Sequence, residues 1–94
     1  MLRVFKYPLA VIDRQQVPVK GYINTLLISE QNNIPCMWCL VDDTIDEETI
    51  LDLVTHGTGH EAEDVMDAKY LGTYFLYNRS FVAHVWVVNN ESIQ

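Results

Sequence analysis

The stretch of this sequence best suited to chemistry is a short glycine turn flanked by histidines. Successive backbone N–H groups in such a turn can cradle an anion such as a phosphate. We therefore predict a ligand-binding loop, with a cation folding over the ligand's charge, at the following residues: Gly57, Thr58, Gly59, His60 and Arg79. The alternative, that the glycines only supply positive φ at a turn, stays open.

The same histidines raise a second possibility, a metal site. On a helix, two histidines four residues apart bind metal ions, but two glycines interrupt any helix between His56 and His60. A loop site completed by His84 and nearby carboxylates would suit zinc or manganese. A metal protein or enzyme using His56 and His60 therefore remains an alternative. We assign no metal ligand and no cofactor.

Neither a catalytic set nor a redox pair can be assembled from the sequence. No serine or histidine has an assignable base or orienting carboxylate, so we expect a binding protein rather than an enzyme. Cys36 and Cys39 have the CxxC spacing of redox and zinc sites. In a strand, residues three apart project to opposite faces, too far apart for a disulfide. We expect two buried core cysteines.

Charge is concentrated in one part of the chain. Residues 42–67 hold ten of the thirteen carboxylates and no Lys or Arg, and the formal net charge is −7. Such a balance argues against direct nucleic-acid binding, which needs clustered cations. It favours a partner with a basic surface, contacted through a carboxylate-rich segment. The predicted contact residues are Asp42, Asp43, Asp46, Glu47 and Glu48.

The elements that must position these residues are mostly strands. Short runs with alternating or continuous apolar residues are separated by turn residues every 8–12 positions. We predict one domain over residues 1–94, mainly β: a small antiparallel β-sandwich or barrel of about six strands with at most one short helix. The polar stretch 13–16 reads as a turn. Residues 44–54 are ambiguous, because Thr44 and Glu47 fit a capping box, whereas 49–56 alternate as a strand, which we favour.

Two strands are apolar on both faces. Residues 34–41 are predicted to lie centrally, covered on both sides, and the last strand has the same character. Because a chain of this size can cover few such faces, one of them is predicted to be a homo-oligomer interface. Gly72 marks a bulge or close contact, and residues 89–94 form a polar tail predicted to fray. No membrane span and no secretory signal are visible, so the expected location is the cytoplasm.

The order of several short motifs gives a family resemblance. The motifs are Lys6-Tyr7-Pro8-Leu9, Asp13-Arg14-Gln15 with Val17, Cys36-Met37-Trp38-Cys39-Leu40-Val41-Asp42, Gly57-Thr58-Gly59-His60, Tyr70-Leu71-Gly72-Thr73 and Val82-Ala83-His84-Val85-Trp86. Together they resemble a family of short uncharacterised proteins of bacteriophages and prophages. Cys39 replaces a small residue of that pattern, and the acidic segment 43–48 is heavier. The resemblance implies a phage accessory protein acting in the cytoplasm of the infected host cell, and it assigns no residue a role.

Two functional hypotheses follow beside the metal alternative. The first is a non-enzymatic protein that inhibits a host defence system by binding a basic protein surface through the acidic stretch 42–67. The second is an oligomer that sequesters a nucleotide-like signalling molecule through the loop Gly57–His60.

Overall fold

The computed structural model describes residues 1–88, which form seven strands. The strands are β1 (Leu2–Pro8), β2 (Arg14–Lys20), β3 (Tyr22–Gln31), β4 (Ile34–Asp42), β5 (Glu48–Gly57), β6 (Lys69–Leu76) and β7 (Phe81–Val88). They form a three-stranded sheet in the order β1-β4-β3 and a four-stranded sheet in the order β2-β5-β7-β6. Every pairing is antiparallel. A single 3-10 turn, Glu63–Val65, interrupts the strands. The predicted mainly-β, sandwich-like fold is confirmed.

The core lies between the two sheets and follows the alternation of side chains along each strand. From β4, the inward residues are Met37, Cys39 and Val41, all fully buried. Leu51 and Leu53 of β5 face them, since alternate residues of a strand share one face. β4 is the middle strand of its sheet, in keeping with the predicted central position of 34–41. The predicted cover on both faces is met only in part, because Trp38 and Leu40 on the outer face are half-buried.

One local prediction was wrong, and one ambiguous segment is settled. Residues 14–16 belong to β2 instead of a turn. Their outward side chains are polar because β2 is an edge strand whose outer face meets solvent, and the edge position also accommodates Pro18. Residues 44–47 form no helix, and β5 runs from Glu48 to Gly57, as the favoured strand interpretation predicted.

Both cysteines are buried and unpaired with each other, as predicted. Cys39 faces the core, where burial raises the pKa of its thiol, and Cys36 projects to the opposite face of β4. In residues 1–88, no helix is long and apolar enough to cross a membrane. The predicted polar tail, 89–94, lies outside the described residues.

The two sheets meet along β3 and β6, which we call the closed side. A Cβ on Gly72 of β6 would lie 2.7 Å from the Cβ of Ile28, so only glycine allows this approach. The ladder register also shifts there, which confirms the predicted bulge and close contact. Two side chains reinforce this side: Glu30 of β3 accepts from the N–H of Phe75 in β6 at 2.9 Å, and Asn33, after β3, accepts from the N–H of Tyr77, just after β6, at 2.9 Å.

On the other side, β1 and β2 are the outer strands of their sheets, and we call this the open side. Six of the seven β1 residues are exposed. Phe5 pairs with Cys39 and so lies on the inward face, yet 44% of its surface remains accessible. The four-stranded sheet therefore does not cover β1. The radius of gyration, 13.4 Å, exceeds the roughly 12 Å expected for this length, in keeping with the partial overlap.

Candidate functional site

The turn after β5 folds histidine onto glycine. The N–H of His60 donates to the carbonyl of Gly57 at 3.2 Å, and Gly59 has a φ of +90°. A Cβ on Gly57 would lie 3.1 Å from the Cε1 of His60, so the imidazole rests against the glycine. Each glycine thus has a conformational role in the turn.

A histidine on β7 fixes this loop from outside the sandwich. One ring nitrogen of His84 lies 2.8 Å from the hydroxyl of Thr58, and the other lies 2.9 Å from the hydroxyl of Thr73. A neutral imidazole donates with one nitrogen and accepts with the other, so both bonds form at once when the hydroxyls rotate to match. His84 therefore ties the loop to β6.

His56 makes a similar connection to the acidic segment that follows. It pairs directly with His84 across β5 and β7, and its Nε2 lies 2.7 Å from Asp64 of the 3-10 turn. The indole of Trp86 packs edge-on against His56, with ring centroids 5.9 Å apart. Two adjacent histidines on the outer face thus hold both ends of residues 58–64.

On the inner side, the loop borders a cleft of about 160 Å³ at one end of the sandwich. The cleft is lined by Val11, Ile12, Asp13, Thr55, Gly57, His60, Tyr74, Phe81 and Ala83. Most of its lining residues are apolar or glycine, and the polar ones are Asp13, Thr55, His60 and Tyr74. Apolar walls with a few convergent polar groups are typical of small-molecule sites.

One wall of the cleft is the connection between β1 and β2, and three sets of hydrogen bonds to its backbone hold it in place. The side-chain amide of Gln15 bonds both the N–H and the carbonyl of Ala10, at 3.0 and 2.8 Å. The carbonyl of Asp13 accepts from the N–H of Thr55 at 2.9 Å, and the N–H of Leu9 donates to Pro35. Asp13 and Gln15, which belong to one of the short motifs, therefore shape this wall.

Tyr74 contributes an unusual group beside the cleft. Its side chain is 1% exposed, and its hydroxyl has no hydrogen-bond partner among the described residues. Burial raises the pKa of this phenol, so the hydroxyl stays protonated and remains both a donor and an acceptor. Leaving such a group unsatisfied costs about 1–3 kcal/mol.

A second, shallower depression of about 220 Å³ adjoins the cleft. It is lined by Gly57, Thr58, His60, Ser80, Phe81 and Val82. His60 and Phe81 border both spaces, so the imidazole and the phenyl ring stand between them. A ligand in the cleft could extend past these two rings toward the loop.

The predicted ligand-binding set is brought together in part. Gly57, Thr58 and His60 line one or both spaces, while Gly59 shapes the turn and lines neither. Arg79 lines neither space, because its guanidinium stacks on Phe75 with 3.8 Å between its central carbon and the ring centroid. Sequence reasoning missed Asp13, Thr55, Tyr74 and Phe81 as lining residues.

The sequence of this chain was compared with known proteins. A family described as a domain of unknown function (DUF7352) matches residues 1–94. The chain belongs to the DUF7352 family. The resemblance to an uncharacterised family is thereby confirmed. No curated protein and no solved structure matches the chain.

The geometry of this DUF7352 domain bears on the metal alternative. His60 rests against Gly57 beside the cleft, whereas His56 and His84 face outward and bond Asp64 and threonine hydroxyls. Within residues 1–88, no group of three or more His, Cys, Asp or Glu side chains is placed to hold a metal ion.

The predicted acidic contact residues fall into two groups. Asp42 and Asp43 are paired with the N-terminal ammonium, and Asp43 also pairs with Arg3. Asp46, Glu47 and Glu48 are exposed. The remaining exposed acids, Glu61, Glu63, Asp64 and Asp67, follow the far end of β5, a strand about 30 Å long at 3.3 Å per residue. The acidic stretch 42–67 thus forms two separate regions.

Proposed function

We propose that this protein is a non-enzymatic binding protein that captures a small molecule in the cleft beside the loop Gly57–His60. The observation that carries the proposal is the buried, unpartnered hydroxyl of Tyr74 next to that cleft. Such a group lowers stability unless a bound molecule or an ordered water satisfies it, and a molecule in the cleft is the partner that we propose.

The lining narrows the ligand class. Among the described residues that line the cleft, Asp13 is the one carboxylate and there is no Lys or Arg. Its charge would repel a phosphate and attract N–H donors. The volume of about 160 Å³ lies below the roughly 300–1,000 Å³ of drug-sized sites, so it suits a single ring system. For a nucleotide-like ligand, the base enters the cleft and any phosphate stays outside.

The resemblance to phage proteins supports a biological setting for this activity. We propose that the protein acts in the cytoplasm of an infected host cell and sequesters a nucleotide-like signalling molecule. Binding without turnover suffices for sequestration, which agrees with the lack of an assignable nucleophile and base in the sequence.

The first test measures binding of free bases, nucleosides and their 5′-monophosphates by calorimetry and thermal shift. We expect a base or nucleoside to raise the melting temperature and its monophosphate to bind no more tightly. Failure of every base and nucleoside at millimolar concentration would contradict the proposal.

Tyr74→Phe gives the sharper test, because it has two opposite effects. Without ligand, removal of the unsatisfied hydroxyl should stabilise the protein by about 1 kcal/mol. With the best base or nucleoside, loss of the hydrogen bond should weaken binding about five- to tenfold. Tyr77→Phe is the matched control, since Tyr77 is 62% exposed, and it should change neither quantity. If Tyr74→Phe binds the base or nucleoside as tightly as the wild type does, the proposed site is wrong.

A second candidate function is binding to a basic surface of a host protein, such as a defence component. Its supporting observation is the exposed run Asp46, Glu47 and Glu48, which forms no ion pair within residues 1–88. Unpaired surface charge of one sign steers association with a basic partner.

Charge reversal distinguishes this candidate from the first. Changing Asp46, Glu47 and Glu48 to Lys should remove a salt-sensitive partner captured from host extract and leave nucleoside binding unchanged. The matched control reverses Glu61, Glu63 and Asp67 at the far end of β5. Equal loss with both triple variants would indicate a general charge effect and contradict a specific acidic surface.

A further inference from the structure

The exposed strand β1 is an edge strand with room for a further strand beside it, and we call it the unfinished edge. It is an outer strand with no second neighbour in the described part of the chain, and its only proline is the terminal residue Pro8. Leu2 and Val4 are exposed on the outer face and Phe5 on the inner face. An edge with free backbone groups and apolar side chains on both faces is a template for another strand.

We propose that a second copy of this chain pairs its β1 with this β1, antiparallel, around a two-fold axis at Phe5. The two three-stranded sheets then become one six-stranded sheet across the dimer. The inference does not depend on the small-molecule function, because no β1 residue lines the cleft.

The charges of β1 select this register. A two-fold axis normal to the sheet keeps the outer faces of both copies on the same side. Opposite residues must then come from the same face of β1, so the numbers of each pair add up to an even sum. With Phe5 opposite Phe5, Arg3 lies opposite Tyr7 and Lys6 opposite Val4, so no like charges meet. An axis at Arg3 or Lys6 would oppose identical cations, which destabilises a cross-strand pair.

The number of paired residues favours an axis at Phe5 over an axis at Val4. An axis at Val4 also avoids like charges, but it pairs only residues 2–6, whereas an axis at Phe5 pairs the whole strand Leu2–Pro8. The Phe5 axis also brings two half-exposed phenyl rings opposite each other. Aromatic cross-strand pairs are among the favourable contacts of antiparallel sheets.

The other free edge explains why the assembly would stop at two. β2 alternates polar residues on its outer face and contains Pro18 within the strand. A proline removes a ladder donor and blocks strand addition at that edge. An isologous contact through β1 alone closes on itself and gives a two-fold dimer.

Native mass spectrometry and sedimentation of the wild-type protein should show a dimer at micromolar concentration. Phe5→Lys places two ammonium groups at the axis and should give a folded monomer with an unchanged circular dichroism spectrum. Ile45→Lys is the matched control, because Ile45 is also 44% exposed and lies outside β1. It should remain dimeric.

Cysteine cross-linking reads the register directly. Because Cys36 and Cys39 are buried, a new surface thiol is the reactive one. Phe5→Cys should form a disulfide dimer with itself, whereas Arg3→Cys and Tyr7→Cys should cross-link efficiently only when mixed. A monomeric wild-type protein at about 100 μM, a dimer retained by Phe5→Lys, or self-linking of Arg3→Cys in preference to Phe5→Cys would each overturn the proposal.

Discussion

The closed and open sides of this sandwich are built by opposite means. On the closed side, β3 and β6 approach so closely that Gly72 has no room for a Cβ, and Glu30 and Asn33 bond the backbone of β6 and of Tyr77 just after it. On the open side, β1 and β2 are the edge strands of their sheets, and the chain crosses between them by the connection 9–13.

The two sides differ in their capacity to bind other molecules. Contacts on the closed side are satisfied within the chain, so that side is structural. The open side carries the unfinished edge β1, and its crossing connection supplies Val11, Ile12 and Asp13 to the cleft. Substitutions on the closed side should therefore affect mainly stability, and those on the open side mainly association and ligand binding.

Gly72→Ala should have the largest effect. Its Cβ would meet the Cβ of Ile28 at 2.7 Å, and overpacking of this kind costs about 3 kcal/mol. Urea unfolding measures the loss. Gly59→Ala is the control, since nothing lies within 4 Å of its Cβ and only its positive φ opposes the change, by about 1 kcal/mol. Equal losses would show that the closed side is not tightly packed.

Glu30→Ala tests the polar part of the closed side. It leaves the N–H of Phe75 without its acceptor, and we expect a loss of about 1–2 kcal/mol in unfolding free energy. Glu30→Gln keeps an acceptor oxygen and should recover most of that loss. If both variants unfold alike, the carboxylate charge matters and the bond to β6 does not.

Gln15→Ala moves the comparison to the open side. Its amide makes both bonds to Ala10, so truncation should cost about 1 kcal/mol and loosen the wall of the cleft. We expect nucleoside affinity to fall more than stability does. Gln16→Ala is the matched control, because Gln16 is exposed on the outer face of the same strand. If Gln15→Ala leaves the affinity for the nucleoside unchanged, the connection 9–13 is not part of the binding site.

These contrasts also explain which features the sequence could predict. The pattern of β4 predicted a central strand because successive residues are apolar, and β4 is the middle strand of its sheet, with Trp38 and Leu40 half-buried on the outer face. Gly72 predicted a close contact because the surrounding strand has no other reason for glycine. Both follow from local chemistry. The start of β2, residues 14–16, was assigned to a turn, because polar residues of this kind occur in turns as well as on the outer face of an edge strand.

The candidate site was predictable only where one segment builds it. The turn Gly57–His60 is local, so its positive φ and exposed polar groups are visible in the sequence. The cleft needs Asp13 beside Tyr74 and Phe81 of the β6–β7 hairpin, from which Asp13 is far away in the chain, and the sheet order β2-β5-β7-β6 brings them together. Asp13 carried a signal through its motif, but Tyr74 is indistinguishable in sequence from an ordinary core tyrosine.

The smallest expected effect concerns the end of the open side, where β1 meets the end of β4. Hydrogen bonds from the Thr44 hydroxyl and N–H, with the N-terminal ammonium nearby, lower the pKa of Asp42 from 3.8 to about 2. A carboxyl whose pKa is depressed by folding adds stability at a pH above its unfolded value and loses it as the pH falls toward its folded value. The contribution should therefore be complete above pH 4 and disappear by about pH 2.

Asp42→Asn reports this contribution directly. The urea midpoint of the variant should fall slightly below that of the wild type at pH 6, and the two should converge as the pH falls from 4 to 2, because protonated aspartate resembles asparagine. Asp46→Asn is the control, since Asp46 is exposed and unpaired within residues 1–88, and its urea midpoint at pH 6 should equal that of the wild type. If the two urea midpoints still differ at pH 2, Asp42 stabilises this end of the open side through its packing and not through its charge.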